Sequence, residues 1–332
     1  MKVRTHHYLL KALRRGRVLK KFIKDELRQQ NRNVKLTARL SCFVRGFNSN
    51  KAGLFDFKGS GYSSFYSDFE RNKVRKFNKV HGLLLDRKDI FHSQMARLGL
   101  GPRVIGTIVD GIFYKHGSSE PKALDNLDFK CQASVLFNPL KGTGLKKTLW
   151  YIHAQGRSKE MCELGKSSEC PVPIKNLMKG HWQVLEGVER ESLGVPGSIV
   201  PVEADPALRI TTLKSSRTGD INSVFSFISY SCHGRKEYID VEVESGMLTE
   251  KISVDDECKV SRFDMIGEDI SLDGYDEAVN QAVHAHSALP NLNAVSWWLV
   301  KVNGGWSIIN ATNKLDTHIA QAYRPCNYLL SP

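Results

Sequence analysis

From Ser134 to the end of the chain, short apolar stretches recur between turn residues, and this rhythm limits the fold more than any other feature. The clearest pair is Val295–Val302 and Trp306–Ile309, joined at Asn303-Gly304-Gly305, a strong hairpin signal. Strands are expected at 134–140, 148–153, 182–188, 208–214, 223–230 and 238–244, the last entering the turn Glu244-Ser245-Gly246. Residues 154–181 read as polar and irregular. Helical spacing returns over 273–288, with Tyr275, Ala278, Val279, Ala282 and Val283 on one face. Upstream, Ile90, Phe91, Met95 and Leu98 mark a helix closed by Gly99, and a strand over 104–108 follows Pro102. The spacing also predicts a helix over 65–81, whereas the Gly, Ser and Asn of 48–66 read as a loop or linker. Mixed helices, hairpins and glycine loops without internal repeats indicate an α+β protein.

The charge is unevenly placed. The chain of 332 residues carries a formal +13, and its first thirty-five residues hold twelve Lys and Arg against Asp25 and Glu26. An anionic partner follows: nucleotide, anionic lipid or nucleic acid. Residues 6–30 read as a helix with Leu9, Leu13, Leu19, Phe22, Ile23 and Leu27 on a rough apolar face. Two readings stand for it, a basic amphipathic segment resting on an anionic membrane or partner, and a terminal helix packed on the body. Nucleic acid ranks third, because the segment lacks interleaved aromatics for stacking. No apolar run approaches the roughly 20 residues needed to cross a bilayer, and the start does not read as a secretory leader. Seven scattered cysteines without metal-binding spacing predict a reduced, cytoplasmic protein, and the membrane reading of residues 6–30 would place it peripherally at the inner membrane face. His284 and His286, two apart on a helix, are expected to face differently and not to chelate.

The order of elements and a set of short motifs resemble the sugar-transfer-associated ATP-grasp proteins, relatives of D-alanine–D-alanine ligase and glutamate-ligase-like enzymes. The similarity runs from about residue 83 to the C-terminus. It implies an ATP-grasp fold with two α+β subdomains gripping the nucleotide, preceded by a basic helical N-terminal segment. The implied division is 1–60 for that segment and a linker, 61–110 for an entry region, 111–185 for a glycine-loop subdomain and 186–332 for an arginine-strand and metal-site subdomain. In Asp86-Arg87-Lys88-Asp89, the resemblance gives Lys88 the role of reaching the nucleotide phosphates, as a mobile point charge suits. A solvated helix lysine is the plain alternative.

Asn138-Pro139-Leu140-Lys141-Gly142-Thr143-Gly144-Leu145-Lys146-Lys147 sits where the family carries its glycine-rich phosphate loop. Gly142 and Gly144 would let backbone N–H groups close on phosphate oxygens. Asn138 replaces the family's lysine, and Lys141, Lys146 or Lys147 would supply charge nearby. A hairpin loop with a basic tip fits the same residues. Glu186 resembles the carboxylate that accepts from ribose hydroxyls. Arg209, in Leu208-Arg209-Ile210-Thr211-Thr212-Leu213, matches the family's arginine strand and is the implied catalytic residue, holding a carboxylate or phosphate in two-pronged fashion.

The family's metal-binding Asp, Glu and Asn correspond to Trp298, Asn310 and Thr312, none of them a carboxylate. Asn310 is what remains for Mg²⁺, a cation that prefers carboxylate oxygen, with Asn313 and Asp316 close by, where a one-residue shift of register would recover part of the site. The resemblance therefore implies ATP and Mg²⁺ as cofactors and an ATP-dependent carboxylate–amine ligase. Its amino-acid or carboxylate substrate would be linked to sugar transfer or surface-polysaccharide assembly, with glycan-assembly proteins as partners. The altered positions imply the alternative, a catalytically degenerate binding or regulatory module.

Overall fold

The computed structural model describes residues 34–57, 59–68, 77–118, 120–123, 134–140, 150–153, 160–163, 180–188, 190–201, 204, 206–255, 260–264, 269–313, 315 and 317–324. Positions 16, 19, 20, 22–24, 26 and 27 are described before them. Two seven-stranded antiparallel sheets carry the chain, so the α+β expectation holds. The first contains β1 (Val104–Val109), β2 (Ile112–Lys115), β3 (Pro121–Ala123), β4 (Ser134–Pro139), β5 (Trp150–His153), β6 (Glu160–Glu163) and β7 (His181–Glu186). Its order is β3-β2-β1-β7-β4-β5-β6. The second contains β8 (Ala207–Lys214), β9 (Ile221–Cys232), β10 (Arg235–Val241), β11 (Leu248–Val254), β12 (Val260–Asp264), β13 (Ala294–Val302) and β14 (Gly305–Thr312). Its order is β12-β11-β10-β9-β8-β13-β14. The helices are α1 (Leu36–Val44), α2 (Leu83–Asp86), α3 (Lys88–Arg97), α4 (Tyr275–Ser287) and α5 (Thr317–Tyr323).

The expected β13–β14 hairpin forms, with Asn303 at φ 49° and Gly304 at φ 78°, the two positive values a tight primed turn needs. Asp110-Gly111 makes the same turn between β1 and β2, a hairpin that apolar alternation alone does not predict. Other expectations fail. Residues 65–68 are not helical, and only Lys79–Gly82 forms a short 3₁₀ turn, while 69–76 lie outside the described residues. The stretch expected to be irregular contains β6, and β11 and β12 follow the Glu244 turn where no strand is expected. The described residues of 48–66 lack regular structure beyond short turns, yet they are packed. Phe47, Phe55 and Phe65 are buried with Leu54 against Ile252 of β11 and Ala322 of α5. Phe55 and Phe65 stack with ring centroids 5.1 Å apart.

The main core lies on one face of the second sheet. Ala278, Ala282 and Ala285 of α4 are fully buried beside Leu208, Ile210, Trp297 and Leu299. Small side chains let the helix sit close, and Phe91 and Met95 of α3 close the same core. His286 of α4 is buried and satisfied. Its Nε2 donates to the Leu292 carbonyl at 2.9 Å and its Nδ1 accepts from the Thr212 hydroxyl at 2.7 Å. The Thr212 oxygen in turn accepts from Trp297 Nε1 at 2.8 Å. His284 is exposed, so the pair does not chelate. The opposite face of the sheet carries Phe225 and Phe227, which α5 covers with Ile319 and Ala320.

Helix α3 locks onto the edge strand β14 through backbone. Ile308 N donates to the Leu100 carbonyl at 2.7 Å, and a Cβ on Gly101 would stand 2.9 Å from both Ile308 O and Met95 Cβ. Gly101→Ala is therefore expected to cost about 1–3 kcal/mol through overpacking. Urea unfolding checks this as a lowered midpoint with an unchanged slope, and a wild-type midpoint would refute the close approach.

Candidate functional site

Antiparallel neighbours directly opposite one another point to the same face of a sheet. Across the second sheet one such row runs Asp240, Phe227, Arg209, Trp298 and Asn310 on β10, β9, β8, β13 and β14. The next row brings Thr211, Ser296 and Thr312 together, with Thr211 and Ser296 hydroxyls 2.7 Å apart. These residues face away from α4. The register places three residues of the expected site, Arg209, Trp298 and Asn310, side by side on adjacent strands.

The Arg209 guanidinium lies over the Trp298 ring at 3.4 Å from its centroid, and its Nε donates to Ser229 Oγ at 3.4 Å. Such stacking contributes about 0.5–2 kcal/mol and keeps the cation flat against a rigid strand. Trp298 is thus a platform for Arg209, a role invisible while it is read only as a missing carboxylate. Lys88 enters from the first turn of α3. Its ammonium donates to Asn310 Oδ1 at 2.5 Å and to the Ala311 carbonyl at 2.8 Å. Asn310 Oδ1 also accepts the Ala311 N–H at 2.9 Å. The expected phosphate lysine and the expected metal ligand therefore bond to each other.

The two sheets meet at the start of α3. Gln183 of β7 is buried and its Nε2 donates to the Asp89 carbonyl at 3.4 Å. Sequence reasoning passed over Gln183, although its backbone lies opposite Asn138 in the β4–β7 register. Val188, just beyond β7, packs with Val300, Ile309 and Trp298. Glu186 sits at this junction, but its carboxylate is half exposed and ion-paired with Arg103 at 3.2 Å. Asn313 lies beyond β14 with its side chain against Gly82. Lys141, Gly142, Gly144 and Lys146 lie outside the described residues, as does the side chain of Asn138. The structure thus joins Lys88, Asn310, Trp298 and Arg209, and leaves Glu186 paired elsewhere.

A Mg²⁺ site does not fit this donor set. Among the described residues no group of three His, Cys, Asp or Glu side chains could hold a metal. The Asn310 oxygen already receives an ammonium, whose charge opposes a second cation. Asp240, the carboxylate of the row, is engaged two strands from Arg209. It accepts from the Thr249 hydroxyl at 2.8 Å and from Arg324 at 3.3 Å, and burial raises its pKa. In this structure Asn310 is the acceptor of the Lys88 ammonium, and the Asn313 side chain lies against Gly82. A separate cavity of about 230 Å³ lies beside α3, lined by Leu85, Ile90, Phe91 and Leu289 with Gln94 and Asn291. Its lining has no ionisable group, so it does not suit phosphate.

One turn beyond Lys88, His92 is fully buried. Burial lowers its pKa to about 3, and the Lys88 charge adds to the depression. His92 is consequently neutral in the folded protein. Below the unfolded value of about 6.5 the unfolded chain binds a proton that the folded chain refuses, so stability falls as pH drops through that window. Unfolding at pH 5 should show about 2 kcal/mol less stability from this group than at pH 7. His92→Gln should flatten that part of the profile, and an unchanged acid limb in urea titrations would refute the assignment.

None of the protein-family models matches the chain, and no curated protein matches it. Solved structures do. The L-amino acid ligase from Bacillus licheniformis matches with a TM-score of 0.38 and 12% identity, over 74% of this chain and 44% of that one. The N5-carboxyaminoimidazole ribonucleotide synthetase from Thermotoga maritima gives 0.36 and 11%, over 70% and 42%. The D-alanine–D-alanine ligase from Bacillus anthracis gives 0.36 and 9%, over 79% and 77%. The chain spans less than half the length of the first two. Likeness at this level carries no argument by itself about substrate or chemistry.

Proposed function

We propose that the chain is an ATP-grasp-type protein that binds an anionic ligand of the nucleotide class without Mg²⁺, and that it serves as a binding or regulatory module. The observation that carries this reading is the Lys88 ammonium held by Asn310 and Ala311, beside Arg209 stacked on Trp298. At the positions to which the resemblance assigns metal-binding carboxylates, Trp298 and Asn310 instead support two cations and supply no carboxylate. A guanidinium and an ammonium neutralise phosphate oxygens by themselves, with charge-assisted hydrogen bonds in place of metal coordination. Phosphoryl transfer asks for more, namely charge compensation that follows the moving phosphoryl group. The residues present supply anion binding better than turnover.

The second reading is an ATP-dependent carboxylate–amine ligase, and it rests on the retained Lys88, Glu186 and Arg209. In that case ATP would convert a carboxylate to an acyl phosphate, and an amine would displace the phosphate to give an amide. Arg209 would hold the reacting carboxylate or phosphate. An amino-acid or carboxylate substrate tied to sugar transfer or surface-polysaccharide assembly, and glycan-assembly partners, stand on the sequence resemblance alone. ATP and the Lys141–Lys146 loop belong to both readings.

Calorimetric titration with ATP separates them. Binding in EDTA that excess Mg²⁺ does not strengthen, weakened about tenfold by Arg209→Ala, is expected. Mg²⁺-dependent binding with ATP consumption would restore the ligase. The absence of binding by ATP, ADP or pyrophosphate in every condition would sink both.

A further inference from the structure

The helical positions between 16 and 27 form an antiparallel pair with α1. Phe22 stacks on Phe43 with centroids 5.0 Å apart, and Glu26 approaches Arg39 at 3.9 Å, so rising numbers on one helix meet falling numbers on the other. The pair is anchored to the body. Glu26 accepts from the backbone N–H of Ser49 at 2.7 Å, and Cys42 is buried with Phe47 and Ile252.

What the pair leaves outside is apolar. Leu19, Ile23 and Leu27 are spaced four apart and exposed, the last at 66%. Leu36, Leu40 and Val44 of α1 repeat that spacing, and Val44 is 82% exposed. At about 100° per residue, positions 19, 23 and 27 fall roughly 60–140° round the helix from Phe22. Positions 36, 40 and 44 fall roughly 120–200° round from Cys42, beyond the Arg39–Phe43 seam. In antiparallel neighbours the same rotational sense from the seam leads to the same side, so the six side chains share one face directed away from the sheets. Lys20 and Lys24 border the stripe on the first helix and Lys35 stands at the start of α1, all exposed.

We infer that this face docks the protein on an anionic lipid surface. The surface is one contiguous apolar strip edged by lysines, the pattern that buries its apolar side chains at the headgroup–acyl boundary while ammonium groups reach lipid phosphates. The excess of ten positive charges within residues 1–35 (twelve basic, two acidic) gives the attraction its sign. Among the described residues no helix is long and apolar enough to cross a membrane, so the contact is peripheral. The inference does not depend on what Arg209 and Lys88 bind.

Co-sedimentation of the full chain with vesicles tests it. Vesicles of phosphatidylcholine with about one third phosphatidylserine should bind at least tenfold more tightly than phosphatidylcholine alone, and salt should weaken the binding. Leu40→Ser with Val44→Ser, and separately Lys20→Glu with Lys24→Glu, should each weaken it about tenfold. Because these side chains are exposed, circular dichroism and unfolding midpoints should stay near wild type. No vesicle binding, or equal binding to both compositions, would overturn the inference. So would a concentration-dependent dimer that the Leu40→Ser, Val44→Ser protein fails to form, which would assign the face to a second copy of the chain.

Discussion

Trp297 and Trp298 are adjacent in sequence and point to opposite faces of the same strand, so the register of β13 decides what both faces of the second sheet can do. Trp297 is locked into the core by its hydrogen bond to Thr212, itself tied to His286 and through it to Leu292. A slip of one residue would exchange the two tryptophans and bury the wrong one, leaving the His286–Thr212 pair without its indole. Asn78 fixes the entrance to the strand as well. Its side-chain oxygen accepts from the backbone of Asn293 and Ala294, and its amide donates to the Ala294 carbonyl. With β13 held at its start and at Trp297, Arg209 and Asn310 follow on the neighbouring strands as partners of Trp298.

The same lock separates the residues of the polar row from those of the core. The polar row of the second sheet is not needed for the α4 core, so its residues are free to diverge. Trp298 offers Arg209 a flat surface, and Asn310 offers Lys88 an oxygen without a counter-charge. The result places a guanidinium and an ammonium on adjacent parts of one face. Its electrostatic effect reaches one turn along α3, where the Lys88 charge and burial together keep His92 neutral. A divalent cation on the same oxygens would face an ammonium already in hydrogen-bond contact with one of them.

The strands that escape a reading of alternation have identifiable reasons. β6, Glu160–Glu163, is short, acidic at both ends and lies at the edge of its sheet. β12 is likewise an edge strand, and β11 carries a Thr-Glu-Lys run, with only Leu248, Ile252 and Ser253 of the strand buried. Edge strands meet water on one side and need little apolar patterning, so their sequences resemble loops. β2 was recoverable from Asp110-Gly111, a turn signal stronger than the strand that follows it. The stretch 48–66 deceives in the opposite direction. Its glycines and serines suggest a linker, while Phe47, Phe55 and Phe65 supply a small aromatic core that composition does not locate.

The sequence by itself determined the helix around Ile90–Leu98 that Gly99 closes, the α4 periodicity, the Asn303-Gly304 hairpin and the absence of a carboxylate at 298, 310 and 312, because each is written in local spacing or residue identity. It also placed the positive charge in the first thirty-five residues. Only the tertiary structure decided that Lys88 bonds to Asn310, that Arg209 rests on Trp298, that Glu186 pairs with Arg103, and that two exposed stripes share one face. Those outcomes depend on contacts between residues up to 222 positions apart, as Lys88 and Asn310 are. Such contacts are set by strand order and helix docking, which no local pattern encodes.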